Sequence, residues 1–497
     1  MERFLYNSNK GEYTLLMAYP AVEEFALASL GYLWLYKIAD MTEGINAVRC
    51  STDNIDKFKR PQAAAFSMSF DFDFMGVFEI LEKLGIPFYA KDRDDDQPLI
   101  FAGGPVITTN PRPYEAFFDF MMIGDGEESF KKVLDILKNN CKKDAITLLA
   151  DVEGIYIPNM PVKKSTVLLD EVIYTPILSD NSYFKDTFII EVSRGCMNRC
   201  AFCTASYINL PFRSYSYEKI IEAIELGLKY TNKIALLGAQ ISAHPRFGDI
   251  MKYLNDKMEN GVDIELGISS LRTDSVTPQM VQTLVKGGQK HSTIAIEAAS
   301  EKLRKFINKN LKEEQILNAV KTARENGLKG LKIYSMIGIP DETQEDIDEF
   351  LRLGKLLKDE NKGFNIEFSF STFVPKPHTP FQWALREDTK SLEKKQKYLE
   401  KELAKLGIAS KFSSAKWDYW QSVLSRGGVE LAPLLTEVYK NGGKIGAYKS
   451  AVKSLSLSIK ESFEMNEALP WDIIEFEPRK ELLKNEYKRL CIKKTSL

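Results

Sequence analysis

The sequence predicts an α/β protein in three parts, and three observations carry that prediction. Strand-like and helix-like segments alternate to about residue 150, six more strand–helix units run from Thr187 to about Trp383, and a Lys/Glu-rich, helix-prone tail follows from about residue 386. Strand–helix alternation is the pattern of a parallel sheet covered by helices. The reading is therefore a Rossmann-like parallel-sheet domain at residues 1–150, a linker at 151–186, a partial (β/α)6 barrel of the TIM type at 187–385, and a mainly helical C-terminal domain at 386–497.

In the first part, the stretches 13–18, 44–49, 63–68 and 98–105 read as strands, and 22–38 and 74–84 as helices. The binding crevice of such a sheet lies at the C-terminal ends of its strands. Gly103-Gly104-Pro105 and Gly124-Asp125-Gly126-Glu127 fall there, either as plain turns or as the edge of a site. Residues 151–186 hold Gly154, Pro158, Pro161 and Pro176 with short alternating runs such as 166–169, which predicts a linker with one or two hairpin strands.

The second unit predicts strands at 188–192, 233–237, 264–269, 292–296, 330–337 and 366–373. Helices are expected at 217–230, 246–259, 277–286, 301–309, 312–326 and 344–360, and catalytic residues gather at the strands' C-terminal ends in such barrels. The tail predicts a helix at 388–406, with its tryptophans packed on the barrel.

The chain has 497 residues, 44% hydrophobic and 27% charged, which is ordinary for a globular protein. Its 67 basic and 69 acidic residues nearly cancel and give no global case for binding nucleic acid or an anionic membrane. Of six cysteines, three share one loop and Cys50, Cys141 and Cys491 stand apart, a pattern that fits a reducing cytoplasm better than a disulfide framework. The start has no signal-peptide architecture, and the longest apolar stretch, 26–39, is too short for a membrane span.

The shared loop is Ser193-Arg-Gly-Cys-Met-Asn-Arg-Cys-Ala-Phe-Cys-Thr204, directly after the first barrel strand. It sets Cys196, Cys200 and Cys203 in a CxxxCxxC spacing, and three thiols at a strand end can converge on one inorganic centre. An iron–sulfur cluster held by three cysteinates keeps one iron open to a ligand that is not protein. Structural zinc wants four ligands, and no fourth Cys or His lies close by.

With Phe202 just before its last cysteine, this loop resembles the signature of the radical S-adenosylmethionine (SAM) superfamily. The resemblance implies a [4Fe–4S] cluster on Cys196, Cys200 and Cys203 and reductive cleavage of SAM to a 5′-deoxyadenosyl radical, with Phe202 near the adenine. It further implies that Gly238, Ala239 and Gln240, in a departure from the common Gly-Gly-Glu form, meet the SAM amino group. Ser269-Ser-Leu-Arg-Thr-Asp274 is similar to a Ser-Leu-Arg-x-Asp segment of cobalamin-domain relatives, and Arg272 either forms a solvated pair with Asp274 or holds the SAM carboxylate, which a guanidinium binds bidentately. In Glu297-Ala-Ala-Ser-Glu-Lys-Leu-Arg304, Glu297 is expected at the ribose, Ser300 as a helix cap and Arg304 at the carboxylate. Ile337 and Gly338 resemble the adenine-binding turn, and Phe373-Val-Pro-Lys-Pro-His-Thr-Pro-Phe-Gln-Trp383 makes His378 a candidate proton relay or cofactor contact.

The first part is similar to the cobalamin-binding-like domain that precedes the catalytic domain in many superfamily members, with Gly103, Gly104 and Gly126 at the expected crevice. A cobalt-ligating histidine is absent, since no histidine precedes His244; some relatives bind the corrin without one and others keep the fold without the cofactor. The resemblance thus implies a cytoplasmic radical SAM enzyme served by a reducing partner such as flavodoxin or ferredoxin, with methyl transfer to carbon if cobalamin is bound. The alternatives are a methylthiotransferase acting on tRNA or ribosomal protein, a class that needs three cysteines in the first domain, and a non-catalytic metal-binding scaffold.

Overall fold

In the computed structural model, which describes residues 2–55, 61–475 and 477–492, the first sheet runs in the order Ile45–Cys50, Tyr13–Ala18, Ala63–Ser67, Leu99–Gly103, Phe120–Met122 and Ile155–Tyr156. The first five strands are parallel and the last is antiparallel. Chain order reverses between Tyr13–Ala18 and Ala63–Ser67, and a doubly wound sheet opens its ligand crevice at such a switch point. Alternate residues feed two cores: Leu15 and Met17 pack on one face with Leu33 and Phe130, Leu16 and Ala18 on the other with Phe74 and Phe78.

The linker forms no hairpin. Its strands pair elsewhere: Ile155–Tyr156 ends the first sheet, Val162–Lys163 pairs with Ile474–Glu475, and Ile177–Ser179 pairs with Glu2–Phe4. The expected strand at 166–169 is absent, because Val167 is held instead by its N–H to Asp125 Oδ2 at 3.0 Å.

The barrel expectation is met and extended. Phe188–Glu191, Lys233–Leu237 and Glu265–Ile268 form one parallel sheet, and His291–Glu297, Gly330–Ile337, Asn365–Thr372 and Ala409–Phe412 form a second. A parallel bridge between Leu271 and Ile294 joins them. The seventh strand was not expected: Ala409-Ser-Lys-Phe412 has no β-branched residue and stays half exposed, so it carries neither the composition nor the burial of a strand. The helix Thr389–Lys405 is consequently a barrel crossover, and the barrel extends past residue 385.

Beyond that strand the chain returns to the first domain. Trp420, Leu424, Leu434, Leu435, Tyr448 and Trp471 share one apolar core with Phe66, Phe74 and Phe78. The expectation that the tail's tryptophans pack on the barrel holds only in part: Trp471 donates to Gln382 Oε1 at 2.7 Å and this core includes Tyr207 and Trp383, but the tail mainly covers the apolar face of Phe74–Lys83 in the first domain. Among the described residues no helix is long and apolar enough to cross a membrane.

Candidate functional site

The first barrel strand delivers the chain to Ser193–Arg194, which pairs antiparallel with Arg213–Ser214 and closes the cysteine loop between them. Gly195 enters that loop at φ +85°, where a Cβ would lie 2.5 Å from Asn209 O, so only glycine fits. The loop is then pinned from two sides. Ala201 N–H donates to Ile307 O at 2.9 Å, and Tyr207 Oη donates to Arg199 O at 3.1 Å. Phe202 joins an apolar cluster with Ala298, Met336, Ile339 and Phe373, residues that end or follow the fourth, fifth and sixth strands.

Cys196 and Cys200 are buried and Cys203 partly so. The Cys196 thiol donates to Gln240 Oε1 at 3.3 Å and accepts from Asn198 Nδ2 at 3.4 Å. Burial pushes the Cys200 thiol up to about 12, opposed by the Lys309 ammonium and assisted by Cys203 and Glu297. Burial also raises Cys203, with Cys196 and Glu297 adding to it. Cys203 thus acts on Cys200 and feels Cys196, while Gln240 from the second strand end meets Cys196, and Arg272 from the third and Glu297 with Lys309 from the fourth act on Cys200.

These groups are ordered. Lys309 Nζ lies 3.0 Å from Glu297 Oε1, Arg272 Nε lies 2.6 Å from Asp274 Oδ1, and Arg272 Nη2 reaches Lys309 O at 3.5 Å. Glu297 has φ +65° at an irregularity in the strand register, a conformation that persists in a non-glycine residue only when the surroundings impose it. Lys309 and Asn198 were not singled out in the sequence. A signal for Lys309 was present, since Asn308 and Asn310 flank it with φ +57° and +50° and asparagine tolerates that region best among non-glycine residues.

The donor set fits an iron–sulfur cluster: three soft thiols on a loop, with cations beside them to offset cysteinate charge. Among the described residues no three Cys, His, Asp or Glu side chains close on the space of one metal ion. A cube needs no such closure, because its cysteinates bind different irons.

The remaining expected residues separate into those near the thiols and those elsewhere. Gly238 approaches the first strand so closely that a Cβ would meet Ser193 Oγ at 2.9 Å; Ala239 and Ser269 are exposed nearby in sequence to Gln240 and Arg272. Ser300 caps its helix, accepting from Leu303 N at 3.2 Å. Gly338 takes φ +77° and donates its N–H to Glu342 Oε1 at 2.9 Å.

The structure narrows two expectations and corrects a third. Arg304 is fully buried and donates through Nε to Leu311 O at 2.7 Å and through Nη1 to Ala298 O at 3.0 Å and to Ala299 O, so these groups tie a loop together, while Nη2 has no hydrogen-bond partner among the described residues. For Ile337 only the side-chain part of the expectation changes: its side chain lies in the core between sheet and helices, its backbone stays at the strand end, and strand alternation turns Met336 to the Phe202 side. His378 is buried, with Nε2 3.0 Å from Thr109 O of the first domain, and burial pushes its pKa down to about 3. A neutral ring locked between two domains is a joint, not a proton relay.

Against the barrel mouth, the first domain opens a cleft of about 380 Å³, lined by Met17, Ser67, Gly103, Gly104 and Gly126 together with Arg194 and Leu237 of the barrel. Gly104 takes φ +110° where a Cβ would lie 2.4 Å from Met68 O, whereas Gly126 has ordinary room and faces Leu35 at 3.6 Å. Arg194 bridges the two units: it binds Glu191 of its own strand end at 2.8 Å, Glu127 at 2.7 Å and Asp125 at 2.9 Å. Asp125 is buried, which alone would raise its pKa, yet the guanidinium groups of Arg194 and Arg213 hold it below the usual value.

Known proteins resemble this chain in both parts. A family model described as the radical SAM superfamily matches residues 190–354, and one described as radical SAM proteins, N-terminal, matches residues 27–158. An uncharacterized protein of Methanocaldococcus jannaschii is 31% identical over 81% of this chain and 85% of its own length. An uncharacterized methyltransferase of Pyrococcus horikoshii is 28% identical over 55% of this chain and 61% of its own. Among solved structures, the cobalamin-dependent SAM radical enzyme OxsB with aqua-cobalamin and SAM bound covers 97% of this chain and 79% of that one, with a TM-score of 0.58 at 15% identity. In the aqua-cobalamin form the match spans 69% of this chain and about half, 52%, of that one, with a TM-score of 0.53 at 18% identity. That likeness is one of fold.

Proposed function

The chain belongs to the radical SAM superfamily, with a cobalamin-binding-like domain ahead of the catalytic one, and on that premise we propose that this enzyme is a cobalamin-dependent methyltransferase acting on carbon. The observation that carries the proposal is the meeting of two sites: the switch-point cleft and the cysteine loop share Arg194. The relative named a methyltransferase supports it. When bound, a [4Fe–4S] cluster supplies the electron that cleaves SAM, and cobalamin supplies a transferable methyl group.

The chain's own residues do the rest. Cys196, Cys200 and Cys203 hold the cluster, and Gln240 and Asn198 orient the first of them. Lys309 and Arg272 offset negative charge from the cysteinates and the SAM carboxylate, while Glu297, steadied by Lys309, accepts from ribose hydroxyls. Phe202 and Met336 give the adenine an apolar wall, Gly238 sets the turn that meets the SAM amino group close against Ser193, and Gly338 shapes the adenine-binding turn at φ +77°. Gly103, Gly104 and Gly126 edge the corrin cleft, and the first domain, docked over the barrel mouth, excludes water. A cytoplasmic one-electron carrier such as flavodoxin or ferredoxin would serve as reductant.

A methylthiotransferase would need three cysteines in the first domain. It has Cys50, buried at the C-terminal edge of the sheet, and Cys141, whose neighbours Asn140 and Lys142 lie with Tyr13 and Leu99 at the opposite edge. The test is anaerobic reconstitution with iron and sulfide, then dithionite and SAM. Formation of 5′-deoxyadenosine or S-adenosylhomocysteine, and a visible-spectrum change with hydroxocobalamin, are expected; an inert spectrum with no SAM turnover refutes the proposal.

A further inference from the structure

Glu127 heads the helix Glu127–Asn139 in the wall of the cleft. One of its carboxylate oxygens, Oε1, takes a hydrogen bond from Arg194 Nη2 at 2.7 Å. The other, Oε2, is buried and has no hydrogen-bond partner among the described residues. A buried carboxylate oxygen left without a donor is costly, so its place in a ligand cleft is informative. The kind of donor it wants follows from the charges around it. Arg194, Arg213 and Lys164 stand against Asp125, Glu127 and Glu191, with Asp125 touching both guanidinium groups and Lys164 acting on it electrostatically. The group is neutral as it stands, so Oε2 suits an uncharged N–H donor rather than a further cation. A corrin ring carries primary amides along its edge.

The other end of the pair is equally specific. Arg194 lies two residues before Cys196 and is separated from it by Gly195, whose φ of +85° admits no side chain. Its guanidinium is held by Glu191, Glu127 and Asp125, and its backbone pairs with Arg213, so a displacement of Glu127 is carried to the cysteine loop with little slack.

We propose that Glu127 accepts an amide N–H of a corrin seated in the cleft and that Arg194, as a positioning residue, passes this contact to the cysteine loop, so that occupancy of the cleft tightens SAM binding. This coupling rests on the cobalamin-dependent function proposed for the chain and deepens it. By reciprocity, SAM then tightens corrin binding by the same factor.

The test uses the reconstituted full-length chain. SAM affinity is measured by equilibrium dialysis with and without saturating hydroxocobalamin, and the electron paramagnetic resonance spectrum of the dithionite-reduced cluster is recorded in the same two states. Hydroxocobalamin is expected to tighten SAM about fivefold and to alter the spectrum in the wild type. Glu127→Ala is expected to weaken hydroxocobalamin about tenfold, the effect of one lost hydrogen bond to a charged acceptor. Arg194→Lys is expected to keep hydroxocobalamin bound but to reduce the coupling below twofold. Should Arg194→Lys fail to fold, as judged by melting of the apoprotein, Glu127→Ala carries the same test. Wild-type hydroxocobalamin binding with coupling that survives both substitutions overturns the inference alone; no hydroxocobalamin binding by the wild type overturns the cobalamin reading and the inference with it.

Discussion

The Lys309 ammonium and the Glu297 carboxylate meet at 3.0 Å with side chains only 9% and 15% exposed, against the pocket that holds Cys200. A buried pair of this kind is worth little against an apolar replacement but is costly to break, because the survivor is left as an uncompensated charge. Glu297→Ala is therefore expected to cost about 3 kcal/mol in urea unfolding. The double replacement Glu297→Met with Lys309→Met should recover most of that stability while SAM binding stays lost. If the double variant binds SAM as the wild type does, the pair is structural only.

Gly238 gives a second, sterically sharper expectation. A Cβ there would stand 2.9 Å from Ser193 Oγ, 3.0 Å from Ser193 O and 3.1 Å from Ile241 Cγ2, and two of those contacts belong to the residue that opens the cysteine loop. Gly238→Ala should push the second strand end from the first, lowering SAM affinity about tenfold at a stability cost of about 1–3 kcal/mol. Equilibrium dialysis and a urea melt measured on the same preparation separate the two effects.

Arg304 separates a loop tie from a ligand contact. Its guanidinium donates to the carbonyls of Leu311, Ala298 and Ala299 through Nε and Nη1, with Nη2 left unpartnered among the described residues, so Arg304→Lys should destabilise by about 3 kcal/mol through lost charge-assisted hydrogen bonds. The folded fraction should bind SAM with unchanged affinity. A selective loss of SAM affinity at wild-type stability would return Arg304 to the ligand.

These cases show what a linear sequence exposes. The strand–helix alternation of both units was legible because periodicity and β-branched runs record burial directly, and the cysteine loop was legible because its chemistry is local. The seventh strand was not, since Ala409-Ser-Lys-Phe412 is an edge segment defined by its neighbour Asn365–Thr372 rather than by its own composition. Long-range pairing hid the rest. Val162–Lys163 finds its partner at Ile474–Glu475, and Trp471 finds its core beside Phe66, separations that no window along the chain contains. Arg304 and His378 show why a motif alone does not settle a role: a polar side chain in it can serve a ligand or a neighbouring carbonyl, and only the fold brings the carbonyls of Leu311 and Thr109 to them.

His378 gives the clearest pH expectation. Burial drives its pKa down to about 3, with the Thr109 carbonyl opposing that shift and the Lys164 ammonium assisting it. An unfolded histidine titrates at about 6.5, so between about pH 6.5 and 3 the unfolded chain binds the proton that the folded chain refuses. The neutral ring's contribution is thus complete above about pH 6.5 and is lost as pH falls towards 3. At pH 5 the loss amounts to about 2 kcal/mol, one and a half pH units at about 1.4 kcal/mol each. His378→Asn keeps a residue that tolerates the φ of +57° at this position but cannot titrate. Urea melts at pH 7 and pH 5 should show the wild type losing about 2 kcal/mol more than His378→Asn between the two. Equal losses would mean that the ring meets solvent, and would reopen its role as a proton carrier.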